Sequence, residues 1–235
     1  MTEHSRARTS GPTHDGGPHP GILAAASLGL TVGSLLIGLI LAGGQGFPSP
    51  FAPAGQVEAY LAENPDAVRF SSLLQFGSAV PLGIFAATVY ARQLRMGVRV
   101  PGPAISYYGG ITASAFLMLS AIFVWVLGRP EVTTDQPLTR ALAFLAFLAG
   151  GVAYVVVLGL LVAGIAVPAL ILGFVPRWLA WSGLVIAALC ELSFFSLVIE
   201  PLAFLLPIGR FSGLLWLVAV GFMLPPSRKA VHGRK

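Results

Sequence analysis

Six long apolar stretches, separated by short polar connections, constrain this chain more than any other feature. They cover roughly residues 21–42, 67–94, 104–127, 138–165, 178–199 and 202–224. A hydrocarbon core about 30 Å thick takes about 20 helical residues, so each stretch is long enough to cross a bilayer. Inside lipid every backbone N–H and C=O has to find its partner within the protein, which leaves helices or a closed barrel. Barrel strands run about 10 residues and alternate in polarity, whereas these stretches are longer and uniformly apolar. The sequence predicts an all-α, polytopic bundle of six transmembrane helices over residues 21–224.

Composition excludes a water-soluble domain. Charged residues make up 10% of the chain and hydrophobic ones 56%, with a mean hydropathy of +0.84; a soluble domain carries about 25% charged residues. The first stretch exceeds the usual apolar core of a signal peptide, about 7–15 residues, and no small-x-small cleavage site follows it. It is therefore read as a span. The single cysteine, Cys190, excludes an intrachain disulfide framework and a cysteine-based zinc site.

The net charge of +5 does not mark a nucleic-acid surface, because the basic residues sit at segment ends in alternate connections. Arg6, Arg8, Arg92, Arg95, Arg99, Arg177, Arg228, Lys229, Arg234 and Lys235 fall on one side. Arg69, Arg129, Arg140 and Arg210 fall on the other, with Glu58, Glu63, Asp66, Glu131, Asp135 and Glu200. Lys and Arg collect on the cytoplasmic side of membrane proteins. Both termini are therefore expected in the cytoplasm, in agreement with an even number of spans. The abundance of Ala, Gly and Arg, with Lys only at 229 and 235, suits a GC-rich bacterial genome.

Residues 1–20 are rich in Gly, Pro, Ser, Thr and His and are expected to form a disordered cytoplasmic tail. The spacing of His4, His14 and His19 fits no defined metal site. The C-terminal tail, residues 225–235, is basic and suited to anionic headgroups. In the longest outer connection, residues 43–66, the segment 55–63 places Val57, Tyr60 and Leu61 on one side. It is either an amphipathic helix at the interface or an ordinary polar loop. Asp66 is a candidate N-cap for the second span. Pro81 is expected to kink that span and free a carbonyl, and Pro168 to end the fourth helix before an interfacial connection. Trp178 and Trp181 belong to one aromatic belt and Trp125 to the other. The small pairs Gly29/Gly33, Ala146/Gly150 and Gly183/Ala187 mark faces where helices approach closely. Arg69, Arg140 and Arg210 recur about every 70 residues; with no other similarity in step, they are read as anchors at span ends.

Glu191 is the costly residue. It lies inside the fifth stretch, and an acid at mid-helix costs about 3 kcal/mol to insert. Such a group faces the bundle interior and either pairs or stays protonated. Gly183, Ala187 and Glu191 are spaced by four, so they share a stripe. By depth its best partner is Arg210, with Arg69, Arg140 and the amide of Gln75 as further candidates. The expectation is a polar cluster in the outer half of the bundle, centred on Glu191 and Arg210, with Arg69, Arg140 and Glu200 at its rim. A structural ion pair and a substrate or proton site are the two readings of it.

No His occurs in any span, which excludes bis-His haem and His-based zinc protease motifs, and removes the base of an intramembrane serine protease. No nucleotide-binding fingerprint appears. Neither catalytic residues nor a cofactor or metal site is expected, and the lipid bilayer is the one implied partner besides a second membrane protein or another copy of the chain.

The segment ALILGFVPRWLAWSGL, residues 169–184, is similar to the Gly-aromatic/aliphatic-x-Pro-Arg-Trp-Leu-Gly-Trp-x-x-Leu stretch of a bacterial six-helix membrane family known as a domain of unknown function. Ala180 stands where that family often has Gly. The resemblance implies six helices and a bacterial cytoplasmic-membrane location, and no activity. Two functions follow as expectations: a non-enzymatic partner, sensor or accessory subunit, or a small transporter with a Glu191/Arg210 site.

Overall fold

The computed structural model describes residues 17–53 and 55–225. The tails holding His4, His14 and the terminal basic clusters lie outside them. Among the described residues there is no strand, and six helical spans are long and apolar enough to cross a membrane. In chain order the helices are α1 (Pro20–Leu41), α2 (Gln56–Glu63), α3 (Pro65–Arg95), α4 (Gly102–Leu127), α5 (Pro130–Thr133), α6 (Gln136–Leu148), α7 (Tyr154–Leu172), α8 (Arg177–Leu192) and α9 (Leu205–Met223). A π-helical turn, Ala149–Ala153, joins α6 to α7 as one span. Two 3₁₀ segments, Ser193–Leu197 and Glu200–Phe204, connect α8 to α9. The spans are therefore α1, α3, α4, α6–α7, α8 and α9.

The start of α1 meets the end of α9. A Cβ on Gly221 would lie 2.7 Å from the nitrogen of Gly21, and the His19 ring packs on Phe222 at 5.1 Å. This end of the bundle is called proximal and the opposite end distal. The contact changes the expectation for the first tail: His19 caps α1, its Nδ1 accepting from Gly21 N at 3.2 Å, and Pro20 is a buried N1 residue. Proline suits that position because its missing N–H is one of the helix's unpaired donors anyway.

The α6–α7 span is the most buried of the six, and α4 packs against it without side chains between them. A Cβ on Gly109 would lie 2.6 Å from both the nitrogen of Leu161 and the oxygen of Val157, and one on Gly164 2.5 Å from the nitrogen of Ser106. Pro168 does not end this helix, contrary to expectation. A proline removes the donor for the carbonyl four residues earlier, here Gly164, and Gln93 Nε2 donates to that oxygen at 3.2 Å. Gln93, 1% exposed, also accepts from Ser106 Oγ at 3.1 Å. The helix therefore continues to Leu172 and stops at Gly173, whose φ of +67° closes the last turn.

Pro81 likewise sits inside continuous helix. The carbonyls recruited beside it are those of Ser78 and Ala79, which accept from Ser27 Oγ at 2.8 Å and Ser114 Oγ at 2.7 Å. At the distal end α2 is helical, and its apolar face turns into the protein. Val57, Tyr60 and Leu61 pack with Val68, Leu127 and Ala143. Asp66 is not an N-cap: Asn64 holds that position, and Asp66 pairs with Arg69 at 3.6 Å. Gly33 meets Leu74, whereas Gly29 faces open space.

Replacing Gln93 by Leu leaves the Gly164 carbonyl unmet, a loss of about 1–3 kcal/mol for a buried acceptor. Gly109→Val should cost more, because backbone that cannot rotate away occupies the space. Thermal unfolding of the purified protein in detergent should rank wild type above Gln93→Leu above Gly109→Val; three equal midpoints would refute this packing.

Candidate functional site

The distal half of the bundle holds the charged side chains the sequence singles out, but in two places. Gly209 of α9 packs against Cys190 of α8, where its Cβ would lie 2.9 Å from the sulfur. Arg210 and Glu191 each follow one residue after this crossing, and a helix turns about 100° per residue. Both reach α7, but at different heights. The guanidinium carbon of Arg210 lies 5.1 Å from the centroid of the Tyr154 ring. Glu191 meets the same helix five residues further on, where a Cβ on Gly159 would lie 3.1 Å from its Oε1. No ion pair joins the two side chains, so the expected Glu191–Arg210 pair does not form. The acid does face a neighbouring helix, along the stripe Gly183–Ala187–Glu191: Gly183 lies against Trp216 and Ala187 against Gly159.

The other expected members disperse. Arg69 pairs with Asp66, both side chains at least half exposed, beside an apolar surface cleft that Phe76 and Trp125 also line. Arg140 and Glu200 are exposed. Gln75 alone joins Arg210. Both line a cleft of about 290 Å³ bounded by α1, α3, α4, the π-helical turn and α9. Gln75 Nε2 donates to Ser120 Oγ at 3.0 Å, and Ser120 Oγ donates to the Ala146 carbonyl at 2.9 Å.

The π-helical turn explains the cleft's floor. Its wider backbone places Gly150 directly under the Ser120 hydroxyl, where any Cβ would collide. Such turns recur at functional sites because they break the regular ladder and expose its groups. Residue by residue, the wall is one cation, one amide and one hydroxyl among apolar side chains that include Leu35, Phe147, Leu206 and Phe211.

Several polar atoms here lack partners. Arg210 Nε, Tyr154 Oη and Glu191 Oε1 are buried and unmet. Tyr154 is fully buried, and its ring offers Arg210 only a π-face, an interaction of about 0.5–2 kcal/mol. An intramembrane arginine ordinarily finds an anion, a carbonyl or water, so this cation can receive an anionic group. Among the described residues no three His, Cys, Asp or Glu side chains gather as metal ligands.

Sequence reasoning identified Gln75, Arg210 and Glu191, and Ala146/Gly150 as a close helix approach, which Ser120 makes; it missed Ser120 and Tyr154. The available signal was Gly150-Gly151 inside an apolar helix with a tyrosine three residues further on. No protein-family model, curated protein or solved structure matches the chain.

Because the two charges do not touch, a Glu191→Gln/Arg210→Gln double-mutant cycle should give a coupling below about 0.5 kcal/mol, whereas breaking a true buried pair costs about 3–5 kcal/mol. Unfolding of the four proteins in detergent measures it, and a coupling of several kcal/mol would restore the paired arrangement.

Proposed function

We propose that this multi-pass membrane protein is a non-enzymatic binding component of a bacterial cytoplasmic membrane, a sensor, accessory subunit or partner, which holds an anionic group at Arg210. The observation that carries this reading is Arg210, which lines the cleft with Gln75 and Ser120 and has no counter-ion among the described residues. A cation held in a bilayer without an anion is costly, and an anion that binds there relieves that cost. The second N–H of the Gln75 amide adds a donor at the same wall, while the Ser120 hydroxyl, its proton given to Ala146, orients that amide.

A second reading, a small permease, draws on the π-helical turn beside Arg210. Transporters place substrate near interrupted helices at mid-membrane. In either reading the proximal end faces the cytoplasm, an orientation supported by the sequence, whose tails and alternate connections on that side carry ten Lys and Arg against four on the other.

Two measurements test this. In intact cells an impermeant thiol reagent should label Thr134→Cys and leave Val100→Cys unlabelled; the reverse pattern inverts the orientation. Carboxylate or phosphate compounds at about 100 times their Kd should stabilise the purified protein by about 2.7 kcal/mol, with the stabilisation lost in Arg210→Gln. Uptake of the same anion into proteoliposomes separates the permease from the sensor, and equal stabilisation of wild type and Arg210→Gln rejects the site.

A further inference from the structure

We infer that the ligand of the Arg210 cleft is an amphiphilic anion, a single acyl chain with a carboxylate head, which reaches the site sideways from the lipid between α1 and α9. The inference rests on the reading of Arg210 as an anion site and adds to it the ligand's class and route.

Two matched stripes carry the argument. On α1, Gly21, Ala24, Leu28, Thr31 and Leu35 are spaced by three and four and share one face. On α9, Gly221, Leu217, Leu214, Arg210 and Pro207 do the same. At the proximal end the stripes are in contact: Gly21 meets Gly221, and Ala24, Leu217 and Leu214 are fully buried. Toward the distal end they part. Leu35 is 56% exposed and Pro207 is exposed, yet both line the same cleft as Arg210. The cleft therefore opens through the side of the bundle between these two helices.

That opening lies within the span. Arg210 is about 7.5 Å along α9 from Leu205, at about 1.5 Å per residue, and the 3₁₀ segment Glu200–Phe204 extends the span further toward the distal end. The surroundings at Leu35 are acyl chains, and α1 continues past the opening with exposed Leu36, Leu39 and Ile40. At the distal end the long loop is anchored beside the cleft, Phe51 lying edge-on to Phe144 and Phe147 at 5.2 and 5.5 Å. A ligand arriving from the lipid brings an apolar tail that matches the exposed leucines. Its head has to be small to fit about 290 Å³, and negative to match the guanidinium. A planar carboxylate suits the fork of arginine donors, and the Gln75 amide lies on the same wall.

The test uses the full-length protein in nanodiscs of neutral phosphatidylcholine, titrated with oleate, oleyl alcohol, acetate or inorganic phosphate. Oleate should bind saturably, at least about tenfold tighter than oleyl alcohol, and acetate and phosphate should not compete with it. Arg210→Gln should weaken oleate at least about tenfold, with Arg210→Lys retaining part of the affinity. Leu35→Trp, which fills the lateral mouth without touching the charge, should also weaken it; this variant decides the matter if Arg210→Gln does not fold. Acetate or phosphate binding as tightly as oleate, in an Arg210-dependent way, overturns the amphiphile and leaves the anion site standing. Oleate binding that ignores both Arg210 and Leu35 overturns both.

Discussion

In a medium without water each polar atom of the chain must be met by another atom of the chain, and the arrangement of this bundle follows from how that demand is met. Where helices cross, a short polar side chain of one reaches a carbonyl of the next: Ser27 to Ser78, Ser114 to Ala79, Ser120 to Ala146 and Gln93 to Gly164. Individually such bonds are worth little in a bilayer, about 0.6 kcal/mol on average. Their effect is positional. They form only where backbones come close, and backbones come close where glycine, alanine or serine occupies the contact. Polar tether and small residue are thus two aspects of the same crossing.

The two halves of the bundle meet this demand to different degrees. In the proximal half the contacts close on backbone: Gly109 and Gly164 at the α4–α7 crossing, Arg92 Nη1 donating to the Leu224 carbonyl at 2.9 Å, and Trp216 Nε1 donating to Leu179 at 2.8 Å. Thr31 Oγ1 and, at the proximal end, Arg92 Nε are also buried and unmet, but most such atoms gather in the distal half, on Arg210, Tyr154, Glu191 and Ser196. A fold that needed these groups only for cohesion would lose nothing by replacing them with apolar residues. Their cost is tolerated where the cleft lies, and the cleft is what distinguishes that half.

The six spans were legible because length and apolar character alone decide them. Details that depend on neighbours were not. Pro168 reads as a helix end in isolation, and the rescue by Gln93 comes from a residue 75 positions away in a different helix. The Glu191–Arg210 pair failed for a related reason. Residue counting gives the depth of a Cα, but not the point a long side chain reaches on the facing helix. With Gly209 and Cys190 at the crossing, the two side chains that follow meet α7 five residues apart, at Tyr154 and at Gly159. Gln75 was legible as an amide in an apolar run. Ser120 was not, because serines on the same helix at 106 and 114 serve ordinary packing bonds.

The π-helical turn ties these observations together. An extra residue in one turn offsets everything after it by about 100° relative to an uninterrupted α-helix. The two halves of the fourth span can therefore face different neighbours. Before the turn, Ala146 presents its carbonyl to Ser120 of α4; after it, Tyr154 lies beneath Arg210 of α9. A straight helix that kept the first contact would swing the tyrosine away from the arginine. The irregular turn is therefore not incidental to the cleft. It allows one helix to supply both the floor under Ser120 and the aromatic surface against the cation, with Gly150 as the residue that lets the two helices approach.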